Sequence, residues 1–343
     1  MTFTSAVASR DTITRFVVTH LIAVVLCVVF VLSGTASLEA AVLKLYMSPT
    51  GNDAWSGLSE VEAVGTLARV HAVLKALAPV DVVEVHIATG LYLGQTVQWT
   101  FCNGRPITFT PLNFGNQRPV FDGQGADIWF GLSASAGADT NLRFRYLKVQ
   151  NYNNAITFKG NRNDPNGWNG GNELYGMYFY RIGGRYSRDG SSTSAVGFQN
   201  SRNNRVVNSH FINVENFDAS AGAIHALYVA HYSSGNIIER NRFADINGDP
   251  VKTRDASNDN RVVSNEFYRT GRDAFYLDAF CEASRPDCTK RSPECPSVGN
   301  EFRYNNLHGG YYGGVATFKF GGSSAACGPL PAPRLRTSGN VKF

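Results

Sequence analysis

Lys252 and Arg254 stand two residues apart in "GDPVKTRDA", with the β-branched residues Val251 and Thr253 on the alternate positions. Strand side chains alternate between faces, so the two cations share one face, about 6 to 7 Å apart by strand rise. Such a pair suits an anionic substrate. An arginine fork grips a carboxylate in two places, and a lysine is a compact charge or, when neutral, a base. Holding a lysine neutral at pH 7 costs about 4.6 kcal/mol from its ordinary pKa. Arg254 would lower that pKa, whereas Asp249 and Asp255 would raise it.

Two neighbouring runs align with this one: "IHALYVAHY" from Ile224 and "GRDAFYLDA" from Gly271, set so that Leu227, Val251 and Phe275 coincide. Alternation then turns Leu227, Val229, Val251, Thr253, Phe275 and Leu277 inward. Tyr228, Lys252 and Tyr276 form one outward column; Ala230, Arg254 and Asp278 form the next. His225, Asp249 and Asp273 stack at the strand starts, and His231 and Asp255 border the far side. Tyr228 is a second candidate base, and Tyr276, Asp278 and His225 are candidate ligand contacts. Asp249 and Asp273 are candidate ligands for a cation such as calcium, although no calcium-loop signature is present. Each residue also has an ordinary reading: outward Lys, Arg and Tyr are solvated surface, and an aspartate at a strand start bonds turn amides.

The elements that must position these residues show themselves as a repeat. Asn, an apolar or β-branched pair, a second polar residue and then Phe recur in "NRVVNSHF" from Asn204, "NIIERNRF" from Asn236 and "NRVVSNEF" from Asn260. "NEFRYNNL" from Asn300 and the weaker "NELYGMYF" from Asn172 extend the series, at intervals of 32, 32, 24 and 40 residues. A fixed motif at variable intervals means a solenoid whose rungs keep their strands and differ in their loops. The apolar period of two and the Val, Ile, Phe and Tyr content make those strands β, which predicts a parallel β-helix. Equivalent residues of successive rungs then stack about 4.8 Å apart. Asn241, Asn265 and Asn305 should form an inward amide ladder, and Phe211, Phe243 and Phe267 a core stack.

The N-terminal part differs. A helix is predicted from Thr66 to Ala78, with Leu67, Val70, Leu74 and Leu77 on one face, capping the open end of the solenoid. Before it, Arg10 and Arg15 precede the apolar run Phe16 to Leu32 and the small-residue stretch "SGTASLEA". That is the layout of a secretory signal peptide over residues 1–40, with an uncleaved anchor as the alternative. Residues 41–343 then make one domain, with a loop insertion at 281–299. Five cysteines follow the leader, and Cys281, Cys288, Cys295 and Cys327 are the disulfide candidates of an exported chain. Zinc is the rival reading, but no C-x-x-C unit or neighbouring His supports it. Cys102 is expected to be a buried free thiol. The net charge of +5 includes no basic cluster longer than a pair, which sets nucleic acid aside.

The opening "YMSPTGNDAWSG", the strand "VVEVHIATGLY" and the Asn-rich rungs resemble the right-handed parallel β-helix proteins of the pectate-lyase-like superfamily, over residues 44 to 320. The resemblance implies an all-β solenoid and an exported monomer acting on an acidic polysaccharide. It leaves the reaction open among lyase, glycoside hydrolase, uronate epimerase and non-catalytic binder. In a lyase, a cation neutralises the uronate carboxylate so that the C5 proton becomes acidic, and a base removes it. Arg254 fits the first role and Lys252 or Tyr228 the second. A hydrolase would draw its two carboxylates from Asp249, Asp273 and Asp278.

Overall fold

A computed structural model describes residues 42–115, 117–280, 294–322 and 327–343. The expected leader, Cys281 and Cys288 lie outside the described residues. Each rung of the solenoid runs through three strands. In one, Glu173–Tyr175 lies on a first face, Tyr178–Ile182 on a second and Ser194–Gln199 on a third, before the chain returns to the first at Arg205–Val207. Every sheet pairing along these faces is parallel, as a right-handed β-helix requires.

The first face is a ten-stranded sheet from Val42–Met47 to Leu335–Ser338. The second and third are two halves of a fifteen-stranded sheet, joined through the long strands Val120–Ser133 and Lys148–Lys159. The N-terminal half of Lys148–Lys159 pairs on the second face with Tyr178–Ile182, and its C-terminal half on the third with Ser194–Gln199. The third face continues through His225–Ala230, Val251–Arg254, Ala274–Ala279 and Ala316–Gly321.

The expected ladder is present. Nδ2 of Asn241 donates to Oδ1 of Asn265 at 3.0 Å, Asn265 to Asn305 at 3.1 Å, and Asn305 to Asn340 at 3.0 Å. A second ladder is made by the first Asn of each repeat, running Asn172, Asn204, Asn236, Asn260, Asn300 at 2.9, 2.8, 2.9 and 3.2 Å. Each Oδ1 also accepts the backbone N–H of the preceding ladder residue, so one buried side chain satisfies two donors. The residue before each ladder Asn has positive φ, as at Asn203, Asp259 and Ser264. Asn, Asp and Gly tolerate that conformation best, which explains Gly171, Asn203, Gly235, Asp259 and Gly299 before the second ladder, whereas Arg240, Ser264 and Tyr304 hold it before the first. Inside, Phe179, Phe211, Phe243 and Phe267 stack at centroid separations of 4.8, 5.1 and 4.7 Å.

Helix α1 (Leu67–Leu77) closes the N-terminal end of the core. Thr66 caps it by accepting from Arg69 N at 3.0 Å, and Asp53 in turn accepts from the Thr66 hydroxyl at 2.6 Å. Leu67, Val70 and Leu74 are buried as expected, but Val73 takes the fourth core position and Leu77 is 49% exposed. Ala78 adopts the left-handed conformation there and turns the chain away before Leu77 can reach the core. Cys295 and Cys327 form a disulfide. Cys102 is a half-buried free thiol, and burial pushes its pKa up to about 12. No helix among the described residues is long and apolar enough to cross a membrane.

Candidate functional site

Lys252 lies on the outer side of the third face, paired with Tyr228 on one neighbouring strand and Leu277 on the other. Its Nζ is 5.8 Å from the Tyr228 ring centroid. Thr157 and Gly197 continue the outward column beyond Tyr228. Tyr228 is 7% exposed.

Arg254 neighbours this pair but is not open to a ligand carboxylate as the sequence suggested. Its Nε and Nη2 donate to the two oxygens of Glu294 at 2.6 and 2.7 Å, so an internal carboxylate occupies the fork. The remaining Nη1 donates to Tyr228 Oη at 3.1 Å. Burial works against the charge of Arg254, yet the Glu294 bonds outweigh it and hold the guanidinium more firmly protonated than usual. Burial likewise pushes the Tyr228 phenol up; Arg254 pulls it down and Glu294 pushes it up again. Tyr228 therefore rests as a neutral phenol under opposed fields.

The strand Ala274–Ala279 sits one residue away from the expected alignment: Val251 pairs with Tyr276, and Thr253 with Asp278. The slip exchanges the faces of Tyr276, Leu277 and Asp278, while Phe275 stays in the core with its ring 5.7 Å from that of Phe267. Tyr276 is wholly buried, its hydroxyl 2.8 Å from Thr253 Oγ1, and it does not flank Lys252. Asp278 is also inside, accepting from Thr253 at 3.0 Å and from Arg334 Nη2 at 2.7 Å. Leu277, expected inward, takes the outer position beside Lys252. The extra residue is used in the preceding turn, where Asp249 Oδ1 accepts the backbone N–H groups of Arg272, Asp273 and Ala274 at 3.1, 2.7 and 2.8 Å.

That turn also redefines the two expected calcium ligands. Asp249 is buried and serves the turn; burial holds its carboxyl above the usual range, with the amide bonds pulling the other way. Asp273 pairs with Lys319 at 3.2 Å. The described residues whose potential ligand atoms converge, within 4.8 Å of one another, are His231, Asp255 and Glu294 instead. Their polar atoms are engaged with each other and with Arg254: His231 Nδ1 and Asp255 Oδ2 are 2.8 Å apart, and both Glu294 oxygens are on Arg254.

His225 is 1% exposed, and its Nδ1 lies 2.7 Å from the Asp249 carbonyl oxygen, which accepts the ring N–H. Burial first, and Lys252 second, lower its pKa to about 3, so the ring is neutral. It stacks on Tyr228 with centroids 5.8 Å apart. The third face thus brings together Lys252, Tyr228, Arg254 and His225 and draws Tyr276, Asp278 and Asp249 into the interior. Glu294 and Arg334 escaped the sequence reading because both come from segments outside the repeat.

No protein-family model matches the chain, and no curated protein matches it in sequence. Among solved structures, a rhamnogalacturonan lyase superposes with a TM-score of 0.54 at 14% identity, covering 77% of this chain and 68% of that one. An alginate lyase from Paenibacillus sp. str. FPU-7 superposes with a TM-score of 0.51 at 13% identity, covering 87% and 98%. At such identities the likeness is one of fold. The chain shares the right-handed parallel β-helix fold of these two structures.

Proposed function

We propose that the chain is an exported carbohydrate-active β-helix that cleaves a uronate-containing polysaccharide by β-elimination on its third face. The observation that carries this reading is the triad of Lys252, Tyr228 and the Glu294-bound Arg254. Two lyases of the same fold are compatible with it. The Cys295–Cys327 disulfide suits an oxidising compartment.

In this reading Lys252 meets the uronate carboxylate and neutralises it, which acidifies the C5 proton. Arg254 is a positioning residue: Glu294 fixes its fork, and its third donor points at Tyr228 Oη. That donor stabilises the phenolate form of Tyr228, which takes the C5 proton; the resulting phenol returns a proton to the departing O4. One residue then serves both halves of a syn elimination. Because Tyr228 rests as a phenol, turnover should rise with pH as the phenolate fraction grows.

The test is ultraviolet detection of unsaturated uronate ends while the mature protein is incubated with pectate, alginate and glycosaminoglycans, with and without calcium. Absorbance should rise with one of them, and Tyr228→Phe and Lys252→Ala should each lower kcat by at least about 100-fold. Flat traces across the panel, or either variant at full activity, would sink the assignment.

A further inference from the structure

The first face carries a cavity of about 510 Å³, on a different sheet from Lys252. Its floor is Thr108 and Thr110, which pair with Glu84 and His86 on the adjacent strand. Arg145 and Glu173 close the opposite side. The intervening residues Val83, Val85, Ile107 and Phe109 are wholly buried, so strand alternation aims the polar set outward. The wall is aromatic: Phe114 meets Tyr146, and Tyr146 meets Tyr175, each edge to face at 5.4 Å.

The charges around the cavity are paired with one another. Glu84 is bound to His86 at 3.0 Å. Arg145 places both Nε and Nη2 on the single oxygen Oε1 of Glu173, at 3.1 and 2.8 Å. Arg143 stands in register between Thr108 and Glu173, and the Arg118 guanidinium lies 5.8 Å from the Tyr146 ring centroid, so the two carboxylates are offset by guanidinium groups and the cavity carries no strong excess of either sign. Carboxylates and threonine hydroxyls are acceptors and donors for a ligand rich in hydroxyl groups. An aromatic wall offers a flat apolar surface to a ring whose C–H groups face one way. The volume lies within the range of small-ligand sites.

We propose that this cavity is a second carbohydrate site, specific for a short uncharged oligosaccharide. It would anchor the protein to a neutral glycan while the third face works on a neighbouring acidic chain, raising the local concentration of each for the other. The proposal does not depend on the elimination chemistry, because binding is read without turnover.

The test is titration calorimetry of the mature protein with neutral gluco-, xylo-, manno- and galacto-oligosaccharides, with a trigalacturonate as the anionic probe. One neutral series should bind. Phe114→Ala and Glu173→Gln should each weaken it by at least about tenfold, with the melting temperature unchanged in Phe114→Ala. Phe114 is 71% exposed, so its truncation leaves the fold intact and the result readable. The proposal is overturned if no neutral series binds below a Kd on the order of 10 mM. It is equally overturned if both variants bind like the parent, or if Phe114→Ala removes trigalacturonate binding instead.

Discussion

Replacing Glu294 by Gln isolates the charge that holds Arg254. The side chains are 26% and 10% exposed, and the two bonds are 2.6 and 2.7 Å long. Glutamine keeps one acceptor and turns an NH2 group toward the second guanidinium donor. Breaking a wholly buried pair costs about 3–5 kcal/mol, whereas an exposed pair contributes at most about 1 kcal/mol. The residual exposure of Arg254 places this case near 2–3 kcal/mol. For a domain of this size that lowers the melting temperature by roughly 3–5 °C. Glu294 also pushes the Tyr228 phenol up, so its neutralisation should move the rising limb of the pH–rate profile to lower pH. Circular-dichroism melts and a pH series of kcat read both effects. A cycle with Arg254→Met should show coupling, because the same substitution then removes no pair. A melting change below about 1 °C, or a limb that moves to higher pH, would refute the reasoning.

Two further outcomes follow from other parts of the solenoid. His225 is held neutral down to about pH 3, against an ordinary value of 6.5, so the unfolded chain binds the extra proton between those values. Stability should therefore fall as pH drops below 6.5, by up to about 1.4 kcal/mol per pH unit from this group, and His225→Asn should flatten that slope in urea titrations. An unchanged slope would show that the ring is not kept neutral. In the ladder, Asn236→Ala strips the acceptor from both N and Nδ2 of Asn204, bonds of 2.9 and 2.8 Å. Two orphaned buried donors should cost about 2–5 kcal/mol in denaturant unfolding, and the exposed Asn163→Ala less than about 0.5 kcal/mol. Equal effects would deny the ladder its role.

The fold was legible because the residues that build it recur with their spacing. Asn241, Asn265 and Asn305 mark a corner where an amide can reach the next rung, and Phe211, Phe243 and Phe267 mark its inner side. The third face was legible only where its strands alternate. Val251 to Arg254 alternates apolar or hydroxyl-bearing with charged residues and was placed correctly. "AFYLDA" is apolar on both sides and offers no alternation to choose between registers. The choice was made by the Asp249 turn, which consumes one residue more than the preceding rung does. The partners that redefined the site were out of reach for the same reason. Glu294 and Arg334 lie 40 and 56 residues from Arg254 and Asp278, on segments with no counterpart in other rungs.

The second ladder also sets a unit of inheritance. Its shortest step, from Asn236 to Asn260, spans 24 residues, and the amide that begins the segment is bonded in the same sense as the amide that follows it. A tandem copy of that segment would present an acceptor to the rung before and a donor to the rung after, with every intervening strand in parallel register. Lengthening the gene by one such block would lengthen the third face by one strand spacing, about 4.8 Å, and leave the chemistry of existing rungs untouched. The reach of this surface along a polymer can therefore grow by duplication alone, without new side chains having to be found.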